Sequence, residues 1–280
     1  MSVRRIGFAF NPTNDAALEL RDRAQSWCQT GGLDHWSAPA GDGETLGREL
    51  PSTDVLVVLG GDGTFLRAAQ AVALVDVPLL GVNLGKMGFL SKAEAHQLEP
   101  VLVQLIEGDF TVGERMALTG AILRGGRPSE ETFTALNDIV VARGSLARVV
   151  RLDVAIDESH LATFVSDGLV VASPTGSTGY SFSAGGPVLD PQSRNLVVTP
   201  IAGYLSALRS IVVSPKQVVR CRVVDAFEAL ASIDGREERK LQVGDVVEVR
   251  ALERPIRFVE PTGALPFWDL LRTKVALLPY

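Results

Sequence analysis

The chain has 280 residues, 46% of them hydrophobic and 21% charged, with a net charge of −6. That is enough for one large domain or two ordinary ones with a sizeable core, and the composition excludes a disordered chain. The acidic balance argues against nucleic acid as a partner, and no run of about 18 apolar residues predicts a membrane span.

In chain order, the start MSVRRIGFAFNP lacks the apolar stretch and cleavage site of a signal peptide, and residues 4–10 read as a first strand. DAALELRDRAQSWCQ (15–29) reads as an amphipathic helix stopped by Gly31 and Gly32. DVLVVLG (54–60) is apolar throughout, as a strand buried on both faces must be. A helix over 64–73, a strand over 77–83 and a helix over 94–108 follow. This alternation predicts a doubly wound α/β domain over 1–110, with sites at the strand C-terminal ends. From 111 to 265 the runs are short, β-branched and split by turns, which predicts a largely antiparallel β-rich domain. Asp167-Gly168 and Asp234-Gly235 each carry a hairpin signal. The tail, 266–280, returns to a helical pattern and is placed back on the first domain. Cys28 and Cys221 read as free thiols in a reducing cytoplasm, and His35, His96 and His160 show no metal spacing.

Four stretches carry polar chemistry. Gly60, Gly61, Asp62, Gly63 and Thr64 form a glycine-rich turn between a strand and a helix, with Thr64 where an N-cap belongs. Such turns cradle phosphates with bare N–H groups, so a carboxylate there needs explaining. Asp62 is either part of a sharp turn or a general base or metal ligand facing a phosphate-sized cleft; the loop is neither a P-loop nor G-x-G-x-x-G. A second loop, Asn83 to Ser91, brings Lys86 as a phosphate contact or one more surface lysine. Asn137-Asp138 before a strand is a turn or a pair that recognises hydroxyls or a base edge. Residues 166–191 crowd hydroxyls and glycines around Tyr180, Phe182, Pro174 and Pro187, which suits a packed nucleoside loop better than a linker.

Taken together, GGDGT (60–64), NLGKMGFL (83–90), ND (137–138), SDGLVVASPTGSTGYSFSAGGPV (166–188) and IDG (233–235) resemble the NAD kinases. GGDGT alone is shared with diacylglycerol and sphingosine kinases, whereas the long hydroxyl-rich loop is specific. The resemblance implies an N-terminal doubly wound parallel-sheet domain plus a C-terminal β-rich domain, the NAD kinase/diacylglycerol kinase-like fold. It implies transfer of the γ-phosphoryl of ATP, or of polyphosphate, to the 2′-hydroxyl of the adenosine ribose of NAD, with a divalent metal, Mg²⁺ first. Asp62 would be the proton acceptor, and an exposed aspartate near magnesium stays ionised at neutral pH. By position, Gly60, Gly61, Gly63 and Thr64 form the phosphate loop, and Gly63 and Arg67 meet the substrate. Asn137 and Asp138 match the adenosine pair and Arg148 a dinucleotide contact. Asp167, Thr178, Gly179, Tyr180, Ser181, Phe182 and Ser183 match the remaining nucleotide contacts. No residue is assigned to the metal. A cytoplasmic homo-oligomer, dimer or tetramer, is implied, with NAD and ATP as its small-molecule partners. Val165, Arg236 and Gly203-Tyr204 depart from the family pattern. A lipid kinase and a non-catalytic dinucleotide-binding regulator are the rival readings; the first needs an apolar channel, the second no acid at 62.

Overall fold

A computed structural model describes residues 3–85, 87–125, 127–145, 148–203 and 208–276. By its internal contacts the chain forms two units, Met1–Glu114 with Ile256–Tyr280, and Arg115–Pro255.

In the first unit, β1 (Arg5–Phe10), β2 (Asp34–Pro39), β3 (Val55–Leu59) and β4 (Leu79–Asn83) run parallel in the order β2-β1-β3-β4. Every residue of β3 and β4 is buried, which is why their sequences are apolar without alternation. Helix α1 (Asp15–Thr30) starts where the Asn14 side chain accepts the Ala17 N–H at 3.2 Å. It packs Ala17, Leu20, Ala24 and Cys28 into one core with Leu98, Leu102 and Leu105 of α4 and with Ile6 and Phe8. The shorter α2 (Gly43–Glu49) precedes β3, and α3 (Asp62–Val72) leaves it. Phe65 of α3 lies against Gly81, whose neighbours Leu80 and Val82 belong to the α1 core, so α3 covers the opposite face. The layer closes with β5 (Ala93–Glu94) beside β4, α4 (Leu98–Glu107) and β6 (Phe110–Arg115). Neither β2 nor α2 has an apolar run to announce it: Asp34–Pro39 is an edge strand with two buried residues out of six.

The second unit holds two antiparallel sheets. One takes β7 (Leu118–Arg124), β8 (Arg127–Ala135), β10 (Val150–Ile156), β11 (Ser159–Ser166), β15 (Val219–Asp225) and β18 (Val246–Ala251). The other takes β9 (Asp138–Arg143), β12 (Gly168–Ala172), β13 (Leu196–Ile201), β14 (Ile211–Val213), β16 (Ala229–Ile233) and β17 (Glu237–Leu241), ordered β14-β13-β12-β9-β16-β17. Alternate residues of both sheets meet in a shared core, among them Ile122, Leu152, Ile139, Val141, Leu169 and Val171. The intervening Val140, Val170, Ala172 and Val197 are buried too, on the second sheet's outer face, with Leu189 packed against them. That face is covered by the segment containing α5 (Tyr180–Ser183).

Asp234-Gly235 turns β16 into β17 within a three-residue loop closed by Ile233 opposite Glu237, with Asp234 and Gly235 both at positive φ, 51° and 63°. Asp167-Gly168 does not make a hairpin: β11 ends in one sheet and β12 begins in the other. Gly168 lies so close to Val141 and Ala142 of β9 that a Cβ would collide with them, so its glycine serves close packing rather than a turn. The chain then leaves the second unit through β19 (Ile256–Pro261), which pairs in parallel with β4 at Phe258–Leu79 and enters the first unit's sheet. The β-rich part expected over 111–265 thus ends, by internal contacts, at Pro255. A six-residue strand shows nothing local about which sheet will take it. Helix α6 (Phe267–Ala276) follows and also lies in the first unit, while residues 277–280 of the expected tail helix lie outside the described residues. No helix among the described residues is long and apolar enough to cross a membrane.

Candidate functional site

In the first unit the glycine turn leads directly into α3. The helix starts at Asp62 with Gly61 as its N-cap, so Thr64 is the third helical residue and not the cap. Two backbone bonds from Thr64 and Phe65 to the Gly61 carbonyl, 2.9 and 3.1 Å, fix that start. Asp62 therefore sits in the first helical turn, where the helix dipole favours a negative charge. It is not an exposed aspartate: it is half-buried, and Oδ1 is fully buried with no hydrogen-bond partner among the described residues. The second glycine loop encloses it. A Cβ on Gly88 would collide with the Asp62 carboxylate, so only glycine lets this loop close over the acid. Burial raises the Asp62 pKa above its ordinary value, opposed by the N–H groups of Leu90 and Phe89 and by the charge of Lys274. Arg67, one turn further along α3, is exposed and reaches over Gly41. Lys86 lies outside the described residues.

In the second unit three separate stretches converge. The Asp234 carboxylate accepts the backbone N–H groups of Leu136 at 3.0 Å, Asn137 at 2.7 Å and Asp138 at 3.2 Å. From the other side the Ser173 hydroxyl donates to the Leu136 carbonyl at 2.5 Å, and the Ser173 N–H to the Asn137 carbonyl at 2.8 Å. Gly176 presses on the Asn137 backbone so closely that any side chain would overlap its carbonyl. Asn137-Asp138 is thus a clamped turn whose side chains are left over for something else. Asn137 Oδ1 and Thr175 Oγ1 are buried with no partner among the described residues.

Asn137, Asp138, Tyr180 and the Asp234-Gly235 turn line a pocket of about 390 Å³ floored by Val140, Ala142, Leu230 and Ser232. It has the apolar floor and few converging polar groups of a small-molecule site. Both acids are buried. Asp138 is pushed up to about 7, by burial first and then by the charge of Asp234. Asp234 is raised to about 6 by burial, against the three N–H groups and the charge of Arg236. Tyr180 is 46% exposed, with its ring available.

The other expected contacts fall differently. Ser181 is buried and bonds to Thr199, and the Thr178 hydroxyl donates to the Thr175 carbonyl, so these two shape the loop. Gly179 lies beside Asn137 and Asp138, while Phe182 and Ser183 are exposed on α5. Asp167 makes a two-point ion pair with Arg143, at 2.7 and 3.2 Å, and lies off the pocket lining. Arg148 is also off the lining, its guanidinium 5.2 Å above the ring of Phe227. Val165 stands on edge strand β11 opposite Arg151; Tyr204 lies outside the described residues. Arg143, which lines the pocket, and Asp234 as the anchor of the turn were missed by sequence reading. Asp234 was legible as part of a hairpin signal and of the IDG motif, but not as an anchor for residues 136–138.

An α/β unit of parallel strands with an enclosed acid at a helix start and a β unit with a small-molecule pocket form the two-unit architecture expected of the NAD kinases. Residues 44–110 match the ATP-NAD kinase N-terminal domain and residues 136–261 the ATP-NAD kinase C-terminal domain. The chain is 35% identical to an NAD kinase of Natranaerobius thermophilus, across 98% of each chain. It is 42% identical to one of Moorella thermoacetica, across 81% of this chain and 72% of that one. This protein belongs to the NAD kinase family. Its fold is that of yeast NADH kinase, solved with NADH, at a TM-score of 0.85 and 22% identity over 99% of this chain and 88% of that one. An NAD kinase from Archaeoglobus fulgidus, solved with ATP, gives 0.79 and 24% over 98% and 100%.

Proposed function

We propose that this protein transfers the γ-phosphoryl of ATP to the 2′-hydroxyl of the adenosine ribose of NAD, making NADP and ADP. The observation that carries the reading is Asp62, a carboxylate enclosed by two glycine loops with one oxygen unpartnered among the described residues. As the ribose oxygen attacks the γ-phosphorus, its proton passes to Asp62 and the bond to the ADP oxygen breaks, ADP taking the electron pair. In the loop of Gly60, Gly61, Gly63 and Thr64, the Gly61 N–H and the Thr64 hydroxyl serve phosphate oxygens while the Gly60 N–H is held by the Val82 carbonyl at 3.0 Å, and Arg67 adds a positive charge. In the second unit, Asn137 and Asp138 bind the nucleoside by hydrogen bonds and Tyr180 by its ring, with Gly179 beside them, Thr178 and Ser181 shaping the loop, and Phe182 and Ser183 exposed at its edge for the rest of the nucleotide. Asp167 acts with Arg143 to hold the strand ends at this site, and Arg148 engages the dinucleotide after leaving Phe227.

Magnesium is the metal of this reading. No cluster of three His, Cys, Asp or Glu among the described residues could hold a metal, and magnesium is ordinarily carried by nucleotide phosphates rather than by a protein cage. There it would offset phosphate charge. Polyphosphate is the second donor class, and the working form is a cytoplasmic homo-oligomer; two buried free thiols, Cys28 and Cys221, support a reducing compartment. Purified protein given magnesium and ATP phosphorylates NAD far faster than diacylglycerol or sphingosine, with NADP read by a coupled dehydrogenase. Lipid turnover with NAD inert would overturn the assignment in favour of a lipid kinase.

The pocket makes a further expectation. A ribose hydroxyl donates best to a charged carboxylate, so NAD selects the ionised form of Asp138. Because Asp138 titrates near 7 in the free protein, NAD affinity rises as pH passes upward through about 7, and binding at neutral pH releases protons. Calorimetry in two buffers of different ionisation enthalpy reads this directly. Asp138→Ala abolishes the proton release and weakens binding by about 1–3 kcal/mol. Affinity that falls with rising pH would mean that Asp138 binds its ligand as a neutral donor.

A further inference from the structure

We propose that Lys274, on the last described turns of the C-terminal helix, is a positioning residue for Asp62, acting through the 88–90 loop that encloses that acid. The inference rests on the reading of Asp62 as the proton acceptor.

The geometry runs in one chain of contacts inside the first unit. Phe267, at the start of α6, packs on Phe89 with ring centroids 6.0 Å apart, and Trp268 packs edge-on against Phe267 at 4.9 Å. Two turns along the same helix, the Lys274 ammonium lies 5.5 Å from the centroid of the same Phe89 ring. Phe89 is therefore held between the first and last turns of α6. Its neighbours are the parts that touch the acid: Gly88 abuts the Asp62 carboxylate, and the Phe89 and Leu90 N–H groups face it. The Gly88 N–H is in turn tied to the Ser91 hydroxyl at 3.1 Å. A helix that grips Phe89 thereby sets where the loop's N–H groups point.

The charge of Lys274 acts in the same sense. Asp62 is disfavoured as an anion by burial, and Lys274 is the cation whose field counters this among the described residues. On the acid's own helix Arg67 is exposed and directed over Gly41. Just before β5, Lys92 is paired with Glu260 of β19 at 3.4 Å. Lys274 is half-buried with its ammonium over the Phe89 ring, so its charge is screened less than that of a surface lysine. A base must be ionised before it takes a proton, and Lys274 extends that condition toward lower pH.

The test compares Lys274→Met and Lys274→Arg with wild type over a full pH profile of kcat/KM for NAD, with Asp62→Asn as reference. Removing the cation raises the Asp62 titration, so the acid limb of the Lys274→Met profile moves to higher pH. Below that limb activity falls roughly three- to tenfold against wild type, and the deficit shrinks as pH rises. Lys274→Arg, which keeps both the charge and the ring contact, restores the wild-type limb. Independently of turnover, the Asp62 carboxyl is titrated by ¹³C NMR, its signal assigned from its loss in Asp62→Asn, and moves the same way in Lys274→Met. An unmoved carboxyl titration, or equal effects of Met and Arg, would overturn the role of Lys274. Full activity in Asp62→Asn would instead overturn the base, whatever Lys274 does.

Discussion

Asp62→Asn lowers turnover by about 10²–10⁴-fold while NAD affinity hardly changes and the melting temperature stays level or rises. The stability half of this expectation comes from the burial of the acid. Its pKa is raised in the folded protein, so the buried carboxyl costs nothing while it stays protonated in acid, and it costs stability as pH rises from the unfolded value through the folded one and the group must ionise. At neutral pH the neutral amide removes that cost while keeping the shape that fits beneath Gly88. A residue that only shaped the turn would behave oppositely, losing stability and keeping turnover in the folded fraction. Melting temperature, NAD affinity and turnover measured on one preparation separate the two. The same burial displaces the acid limb of the wild-type rate profile upward from the ordinary aspartate range.

Asp234→Ala strips three backbone N–H groups of their acceptor at once. Each buried donor left unsatisfied costs about 1–3 kcal/mol, and removal of a desolvated carboxylate returns part of that. The net loss is about 3–5 kcal/mol, a fall in melting temperature of roughly 2–4 °C for each kcal/mol. Because the turn it holds carries Asn137 and Asp138, NAD affinity falls with it. Asp234→Asn recovers most of the stability. Its carbonyl oxygen still serves Asn137 and Asp138, whose N–H groups share Oδ1 in the native protein, and only the Leu136 bond is lost. It has one more consequence: without the neighbouring charge Asp138 titrates lower, so the pH at which NAD affinity rises moves down. Denaturation followed with and without NAD at several pH values reads all three effects. An Asp234→Ala protein as stable as wild type would show that the turn is held by Ser173 and Gly176 alone.

Much of this was open to reading in one dimension. Val55–Leu59 could only be a strand with both faces covered, and Asn14 and Gly31 bound α1 where a cap and a stop belong, because such signals depend on residues within one or two turns. Asp234-Gly235 made the hairpin its dipeptide announces. The family resemblance likewise rested on contiguous motifs, and the hydroxyl-rich loop is the packed segment its prolines and aromatics called for. What sequence could not settle was every question of which distant residues share a place. Asp167-Gly168 carries the same hairpin signal as Asp234-Gly235, yet links two different sheets, because strand pairing is chosen by surfaces that form only when the sandwich does. The edge strand Asp34–Pro39 has too few buried positions to stand out alone, and Ile256–Pro261, although mostly buried, carries nothing in its own residues that says it returns to the first unit's sheet. The state of Asp62 was likewise beyond reach: its carboxylate is enclosed by Gly88, 26 residues on, and answers to Lys274, more than 200 residues on. Local sequence determined the elements and the chemical groups; burial and long-range contact, which exist only in the folded chain, decided their partners and their charge.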